Sequence, residues 1–460
     1  MTISLRSELL RDFAARGLIH DVTAGLDERI ASNPSISGYI GFDPSANSLH
    51  VGHLMGVLAL RRLQLAGGRP VALVGGGTGM IGDPSGRSAE RNLLDRATLD
   101  ANRAAIGGQL AQLLDFSGAK GALLLDNLEW LGPVGLIDFL RDTGKHLTVG
   151  YMLAKDSVKS RLDAGLSFTE FSYMLLQSYD FLMLRRLHGV ELQMGGSDQW
   201  GNITAGAELI RRVEGGGSDE GSLAFGLCYP LLVAKSGAKF GKTADGAVWL
   251  DPNRTSPFAF RQFWIDQEDA HVRELLLRFT LDPVVEITTL LAAHEANPSA
   301  RIAQRHLASR LTTMVHGAEE ASRADEVAET LFGLPGGGAR DPRSLNPATL
   351  AILAAELEGG VVPQAADATL VDAVLAHLGG RGVDGGAGVV AVGGVGHVAG
   401  GGGAVRDTGG TVTVGVTVGV GVVRGRGGGA VIGETVAVVV EAVADFGGGG
   451  VDGCVGAVAI

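Results

Sequence analysis

The chain carries only two cysteines, Cys228 and Cys454, in 460 residues. Two thiols cannot build a disulfide scaffold, so a reducing, cytoplasmic setting is expected. No run of about 18 uncharged apolar residues occurs, so no transmembrane helix and no membrane partner is expected. The N-terminus, Met1-Thr2-Ile3-Ser4-Leu5-Arg6, has no basic start leading into an apolar stretch and does not read as a signal peptide. Positive charge is also short: 38 Lys and Arg stand against 50 Asp and Glu, a net −12. That argues against a general nucleic-acid coat or a membrane-surface binder. The length suits two or three domains at roughly 150 residues each.

The last stretch lacks more. From Gly379 to Ile460 there is no Leu, Lys, Ser, Pro, Asn or Gln, while 29 of the 82 residues are Gly and 23 are Val. Alternating Val and Gly favours strand locally, but Gly weakens strands and leaves little volume to pack. Residues 379–460 therefore read as a low-complexity tail, or as an out-of-frame product of a GC-rich gene. A Val/Gly β-solenoid is the rival, without a visible repeat period.

Upstream, apolar strands alternate with helices. Strands are expected at Tyr39-Ile-Gly-Phe42, 70–74, 121–125 and 190–194. Helices are expected at 53–65, 88–114, 133–142, 148–163 and 168–188. This pattern predicts a parallel α/β sheet with ligands at the carboxyl ends of its strands. Beyond about 251 the sequence turns helical up to Phe332, a Gly/Pro-rich linker follows, and 347–378 begins another small domain.

Three glycine motifs invite a phosphate. Gly77-Thr-Gly79-Met-Ile-Gly82 matches a dinucleotide fingerprint, but it runs into the turn Asp83-Pro84-Ser85-Gly86 instead of opening a helix. Gly237-Ala-Lys239-Phe-Gly241-Lys242-Thr243 is one residue short of a P-loop, and no helix opens after it, which favours a surface hairpin. Gly195-Gly196-Ser197-Asp198-Gln199-Trp200 sits between strand and helix. It fits either a packed turn capped by Asp198 or a close backbone approach to a ligand. More telling is His50-Val51-Gly52-His53 at a helix start. Two imidazoles, open backbone N–H groups and the positive dipole end can converge there on one anion.

His50-Val-Gly-His53 resembles the HIGH signature of class I aminoacyl-tRNA synthetases, and Lys239-Phe-Gly-Lys-Thr243 resembles their KMSKS loop. Tyr39-Ile-Gly-Phe-Asp-Pro44, Gly82-Asp-Pro-Ser-Gly86, the segment Phe168–Asp180 and Gly195–Asn202 are similar, in order, to the bacterial-type tyrosyl branch. The resemblance spans about residues 1–378. It implies a Rossmann-like parallel-sheet catalytic domain over 1–250 with a dimer-forming insert near 130–165. A helical anticodon-side domain over 251–335 and a truncated or aberrant RNA-binding domain would follow, its remnant at 347–378.

The implied activity joins tyrosine and ATP into tyrosyl-adenylate, releases pyrophosphate, and then passes tyrosine to the 3′ end of tRNA(Tyr). By resemblance, His50, His53, Lys239, Lys242 and Thr243 are catalytic. Tyr39 and Asp180 meet the phenol hydroxyl, while Asp83, Tyr173 and Gln177 hold the ammonium. Gly41, Asp43, Gly52, Gly196, Asp198 and Lys242 line the ATP site. Mg²⁺ arrives with ATP and no dedicated metal site is expected. Lys155, Lys159 and Arg161 are candidates for the acceptor stem, and Arg301, Arg305, His306 and Arg310 form a modest basic patch. A homodimer is implied. The alternatives are a tryptophanyl-type enzyme and a non-catalytic RNA-binding or regulatory relative.

Overall fold

The computed structural model describes residues 5–85, 94–162, 165–215, 223–232, 240–243, 246–333, 338, 340–356, 389–392, 412–423 and 436–444. At 157, 160, 242 and 243, and in the last three strands, only the backbone is described. The chain forms two compact units, Met1–Ser322 and Arg323–Ile460.

In the first unit, α1 (Glu8–Ala15), β1 (Asp21–Val22) and α2 (Leu26–Ser32) precede β2 (Ser37–Phe42), α3 (Val51–Leu65) and β3 (Arg69–Val74). Next come α4 (Arg96–Leu113), β4 (Leu123–Asp126), α5 (Leu128–Leu131), α6 (Leu136–Asp142), α7 (Val149–Leu153) and α8 (Asp156–Leu162). Then follow α9 (Phe168–His188), β5 (Leu192–Gly196), α10 (Trp200–Glu214), β6 (Phe225–Tyr229) and a small hairpin, β7 (Lys242–Thr243) and β8 (Gly246–Ala247). Helices α11 (Pro257–Ile265), α12 (Asp269–Phe279), α13 (Val284–Ala296) and α14 (Ile302–Phe332) close the helical stretch.

The main sheet has the order β1-β6-β5-β2-β3-β4. All its pairings are parallel except β1 with β6. β2 and β3 are almost wholly buried, as strands covered on both faces must be. From β2 the chain builds outward to β3 and β4 on one side, and β5 and β6 fill the other. The order reverses between β2 and β5, so a crevice opens at their carboxyl ends.

Local chemistry fixes the ends of α9, whose whole span matches the expectation. Ser167 accepts from Glu170 N at its start, and Gly189 at φ 65° ends it. The helix expected over 88–114 begins later, where Asp95 caps α4 through Thr98 N; 88–93 lie outside the described residues. The helix expected over 148–163 is two short ones, α7 and α8. β1 and β6 have no counterpart in the sequence reading.

One hydrophobic cluster joins Phe13 of α1 and Leu54 and Leu58 of α3 to Phe260, Trp264 and Phe279 of α11 and α12. It crosses the boundary expected near 251. Arg62 of α3 reinforces the join. It is 4% exposed and donates to the carbonyls of Thr280 at 2.6 Å and Arg278 at 2.9 Å, beyond and at the end of α12. Arg16 adds bonds to the Leu277 and Asp282 carbonyls at 3.0 and 2.8 Å. Carbonyls orphaned at a helix C-terminus are thus satisfied by two cations, as the dipole favours. Burial, with Arg16 adjacent, pushes the Arg62 guanidinium down to about 9.

α14 is two helices end to end, since Gly317 at φ 87°, ψ 163° interrupts it. In the second unit its latter half is followed by α15 (Pro347–Glu356), where Thr349 Oγ1 donates to Glu326 at 3.0 Å. Segment 370–377, expected as a first helix, lies outside the described residues. In the tail, β9 (Val389–Val392), β10 (Val412–Val423) and β11 (Val436–Ala444) form an antiparallel sheet with β10 central. The alternating Val and Gly of 412–420 fall within β10.

Candidate active site

The crevice is a cavity of about 650 Å³. Of the expected site residues it gathers Tyr39, Gly41, Asp43, His50, Gly52, His53, Asp83, Tyr173, Gln177, Asp180, Gly196 and Asp198. Four sheet strands deliver them, β2 with Tyr39 to Asp43, β3 with its following loop, β5 with Gly196, and β6 with Tyr229. Helix α9 supplies Tyr173, Gln177 and Asp180 from one face, at i, i+4 and i+7.

At the deep end, Tyr39 and Asp180 are 1% and 2% exposed. Asp180 accepts from Trp130 Nε1 at 2.7 Å and Asn127 Nδ2 at 2.9 Å. Burial nevertheless raises its carboxyl to about 7, since two donors do not offset the loss of water and Asp43 and Asp126 repel the charge. Tyr39 Oη is buried with no hydrogen-bond partner. Its ring lies 5.4 Å from that of Phe181, and burial plus the nearby Asp180 charge hold the phenol well above its usual range. Tyr39 therefore stays a neutral hydroxyl. A buried, unpaired hydroxyl beside a buried carboxylate costs free energy unless a third polar group joins them.

The mid-cavity is a chain of polar side chains. Tyr173 Oη donates to Asp43 Oδ2 at 2.9 Å, and Thr78 Oγ1 to Asp43 Oδ1 at 2.8 Å. Burial and the Asp43 and Asp83 charges keep the Tyr173 phenol well above its usual range, so it remains a donor. Gln199 Nε2 donates to Asp83 Oδ2 at 2.6 Å, and Gln177 Nε2 to Gln199 Oε1 at 3.2 Å. Asn202 Nδ2 closes the chain on Gln177 Oε1 at 3.0 Å. Asp198 does not cap α10; the cap is Gln199, without a side-chain bond.

Asn127, Trp130, Thr78, Gln199 and Asn202 were not singled out from the sequence. Thr78, Gln199 and Asn202 lay inside quoted motifs, though without a role assigned to them. Asn127 and Trp130 follow β4, where nothing in the local pattern marks them as partners of Asp180.

At the mouth, His50 is the N-cap of α3. Its Nδ1 accepts from Gly52 N at 3.0 Å, while His53 Nδ1 accepts from His50 N at 3.2 Å. Each neutral ring accepting at Nδ1 carries its proton on Nε2. The rings stack with centroids 3.8 Å apart, and Trp249 meets His50 edge-on at 5.9 Å. A Cβ on Gly52 would stand 2.8 Å from the His50 ring, so only glycine admits this cap.

The expectation of open backbone N–H groups here is corrected. Val51 N donates to Val248 O at 3.0 Å, Gly52 N to His50, and His53 N to His50 O at 2.8 Å. The helix start is closed by the His50 imidazole and by two backbone carbonyls, which leaves side chains as the donors.

Of the second signature, Lys239 lies outside the described residues, and Lys242 and Thr243 are described in backbone only. That backbone is one strand of the β7–β8 hairpin, Lys242 pairing with Ala247 and Thr243 with Gly246. Gly241, at φ 82°, turns the chain against Val51, and a Cβ there would collide with the Val51 side chain. The two signatures therefore meet at the start of α3.

Two RNA expectations are corrected. Arg161 is 2% exposed and forms a bidentate pair with Glu170, at 3.1 and 2.9 Å, so it cannot reach a nucleic acid. In the helical stretch, Arg301 donates to the carbonyls of Ile265 and Gln267. His306 and Arg310 both pair with Asp282, at 2.6 and 2.8 Å. Arg301 is thus tied to backbone carbonyls, and one carboxylate, Asp282, engages both His306 and Arg310.

Among the described residues no group of three or more His, Cys, Asp or Glu could hold a metal, and no helix is long and apolar enough to cross a membrane.

The model of the family "tRNA synthetases class I (W and Y)" matches residues 31–333. A tyrosine–tRNA ligase of Anaeromyxobacter dehalogenans is 51% identical over 354 residues, 77% of this chain and 81% of that protein. One from Roseiflexus castenholzii is 53% identical over 328 residues, 71% of this chain and 76% of that protein. Among solved structures, a C-terminally truncated mitochondrial tyrosyl-tRNA synthetase of Aspergillus nidulans superposes with a TM-score of 0.64 at 32% identity. It covers 70% of this chain and 94% of that one.

Proposed function

The chain belongs to the class I tRNA synthetases of the tryptophan and tyrosine branch and is a tyrosine–tRNA ligase, and from that premise we propose how its residues divide the work. Its substrates are tyrosine, ATP and tRNA. The cavity takes tyrosine with its phenol at the deep end. Tyr39 donates to the phenol oxygen, and the phenol donates to Asp180. Asp83, Tyr173 and Gln177 face the ammonium, with Gln199 and Asn202 holding Asp83 and Gln177 in place.

ATP, as its Mg²⁺ complex, lies between the two signatures, over Gly41, Gly52 and Gly196 with Asp43 and Asp198 nearby. A tyrosine carboxylate oxygen attacks the α-phosphorus, forming the carboxyl–phosphate bond as the bond to the β-phosphate oxygen breaks. Pyrophosphate leaves with that electron pair. The substrate carboxylate is the nucleophile, so the protein's task is positioning and electrostatic stabilisation. The Nε2–H groups of His50 and His53 serve the phosphates from one side. Lys239, Lys242 and Thr243 serve them from the other. In the second step a ribose hydroxyl at the tRNA 3′ end attacks the adenylate carbonyl and AMP leaves.

A homodimer is supported by the insert, where Leu136, Ile137 and Val149 are 62–72% exposed. Large apolar side chains clustered in one surface segment mark an interface. The protein acts in the cytoplasm, where its substrates are made and used. The tail from Gly379 carries 4 Arg and 6 acidic residues and offers few cations for RNA phosphates. Tyrosine activation is expected to be independent of it, and fusing a basic RNA-binding domain after residue 378 is expected to raise charging.

The observation that carries this reading is the buried Tyr39 hydroxyl without a partner beside Asp180. A site built around a substrate hydroxyl rejects the analogue that lacks it, a rule for which tyrosine-charging enzymes are the standard instance. Tyr39→Phe tests it. Tyrosine affinity is expected to fall by roughly 3- to 10-fold, about one hydrogen bond, with thermal stability kept. Unchanged tyrosine affinity would remove Tyr39 from the pocket.

A further inference from the structure

Phe240 is the only apolar residue in Lys239-Phe-Gly-Lys-Thr243, and its ring is placed by another part of the molecule. It packs against Phe263 at 5.5 Å and Trp264 at 5.8 Å, both on α11, and against Phe279 at 5.9 Å, the last residue of α12. Around it the backbone is tied at two points. Phe240 N donates to Leu232 O at 3.2 Å, and Val248 N to Gly241 O at 2.8 Å. Gly241 then turns directly against Val51, one residue from His50.

The socket is itself fixed relative to the two histidines. Phe279 ends α12, and Arg62 binds the carbonyls just there, at Arg278 and Thr280. Arg62 belongs to α3, the helix whose first turn carries His50 and His53. Helix α3 therefore carries the imidazoles at its start and, through Arg62 further along, also holds the end of α12 that bears Phe279, part of the seat of the second signature.

We propose that Phe240 is the positioning residue of the lysine loop, and that its aromatic socket on α11 and α12 sets how the loop, with its lysines, meets the phosphates of ATP. This rests on the reading above that those lysines contact ATP. Three ring contacts converge on one side chain, flanked by a glycine turn that cannot hold a position unaided. Without the ring the loop keeps its charges but loses its register, and a misplacement of about 1 Å costs on the order of 10²-fold in rate. The ring contacts of Phe240 are to α11 and α12, whereas the ring of Tyr39 packs on Phe181, so tyrosine binding is expected not to depend on Phe240.

The test is tyrosine-dependent ATP–pyrophosphate exchange on full-length Phe240→Ala, Phe240→Met and Lys242→Ala. Equilibrium binding of tyrosine and trypsin cleavage at Lys239 and Lys242 are measured in parallel. Phe240→Ala is expected to lower kcat by 10- to 100-fold and raise the KM for ATP. Its tyrosine Kd should stay within twofold of wild type, which also certifies the fold. Trypsin is expected to cut the loop faster, and Phe240→Met, which refills the socket, to recover most of the rate. Wild-type exchange in Phe240→Ala with a severe loss in Lys242→Ala would overturn the positioning role alone. Wild-type exchange in Lys242→Ala would overturn the phosphate-binding reading beneath it. Loss of tyrosine affinity in step with kcat would mark Phe240 as merely structural and overturn the proposal.

Discussion

His50 and His53 stack at 3.8 Å because each caps the same helix start, one through Gly52 N and the other through its neighbour's own amide. The cap fixes both Nδ1 atoms as acceptors, so each ring proton is on Nε2, where a phosphate oxygen can take it. Structure and chemistry thus share one arrangement. His53→Ala is expected to reduce kcat for adenylate formation by about 10²–10³-fold. It should cost about 0.5–2 kcal/mol of stability for the lost cap. Exchange kinetics and denaturant unfolding check the two effects separately, and the KM for tyrosine should hold.

With the proposed contact to the phenol, Asp180 is expected to make tyrosine recognition pH-dependent. With its carboxyl raised to about 7, it is ionised above that pH and takes up a proton below it. The ionised form is the better acceptor for a phenol. The KM for tyrosine is therefore expected to be flat above about 7 and to rise as pH falls below it. The stability sign is opposite. Relative to an unfolded value of 3.8, the folded protein holds the proton more tightly between 3.8 and 7, so stability falls as pH rises through that window and levels off above it. Asp180→Asn should abolish both inflections, read from a KM–pH profile and from pH-dependent melting.

The side chains of Arg161 and Glu170 are each 3% exposed and bound to each other twice. Removing one partner strands a buried charge. Arg161→Met is expected to destabilise the protein by about 3–5 kcal/mol, and Arg161→Met with Glu170→Leu to recover most of it. Urea unfolding of the two variants decides. A tRNA contact for Arg161 would instead show as a charging defect with stability intact.

The apolar surface of the insert predicts assembly. Ile137→Asp with Val149→Asp is expected to convert a dimer into a monomer in sedimentation equilibrium. Wild type that is already monomeric at micromolar concentration would contradict the dimer.

Much of the sheet was legible because buried parallel strands read as apolar runs, as at Val71 to Val74. β6 was missed although Phe225-Gly-Leu-Cys-Tyr229 is equally apolar. It has no helix directly after it to complete an alternating unit. In the site, Tyr173, Gln177 and Asp180 were named through the family resemblance, and their helical spacing on one face agrees with it. Asn127 and Trp130 were not, because their bond to Asp180 spans about 50 residues and depends on how β4 lies beside β3. Arg161 misled for the same reason. A cation in a polar helix reads as solvated, and only the fold brings Glu170 onto it. The closing of the amides near His50 was also out of sight, since an imidazole acting as its own helix cap leaves no trace in spacing.

The most direct measurement of the whole account is ATP–pyrophosphate exchange by the purified full-length protein with tyrosine, phenylalanine and tryptophan in turn. It needs no tRNA and so leaves the tail aside. The account predicts rapid exchange with tyrosine and none above background with the other two. Exchange supported by tryptophan, or none with tyrosine from folded dimer, would contradict it.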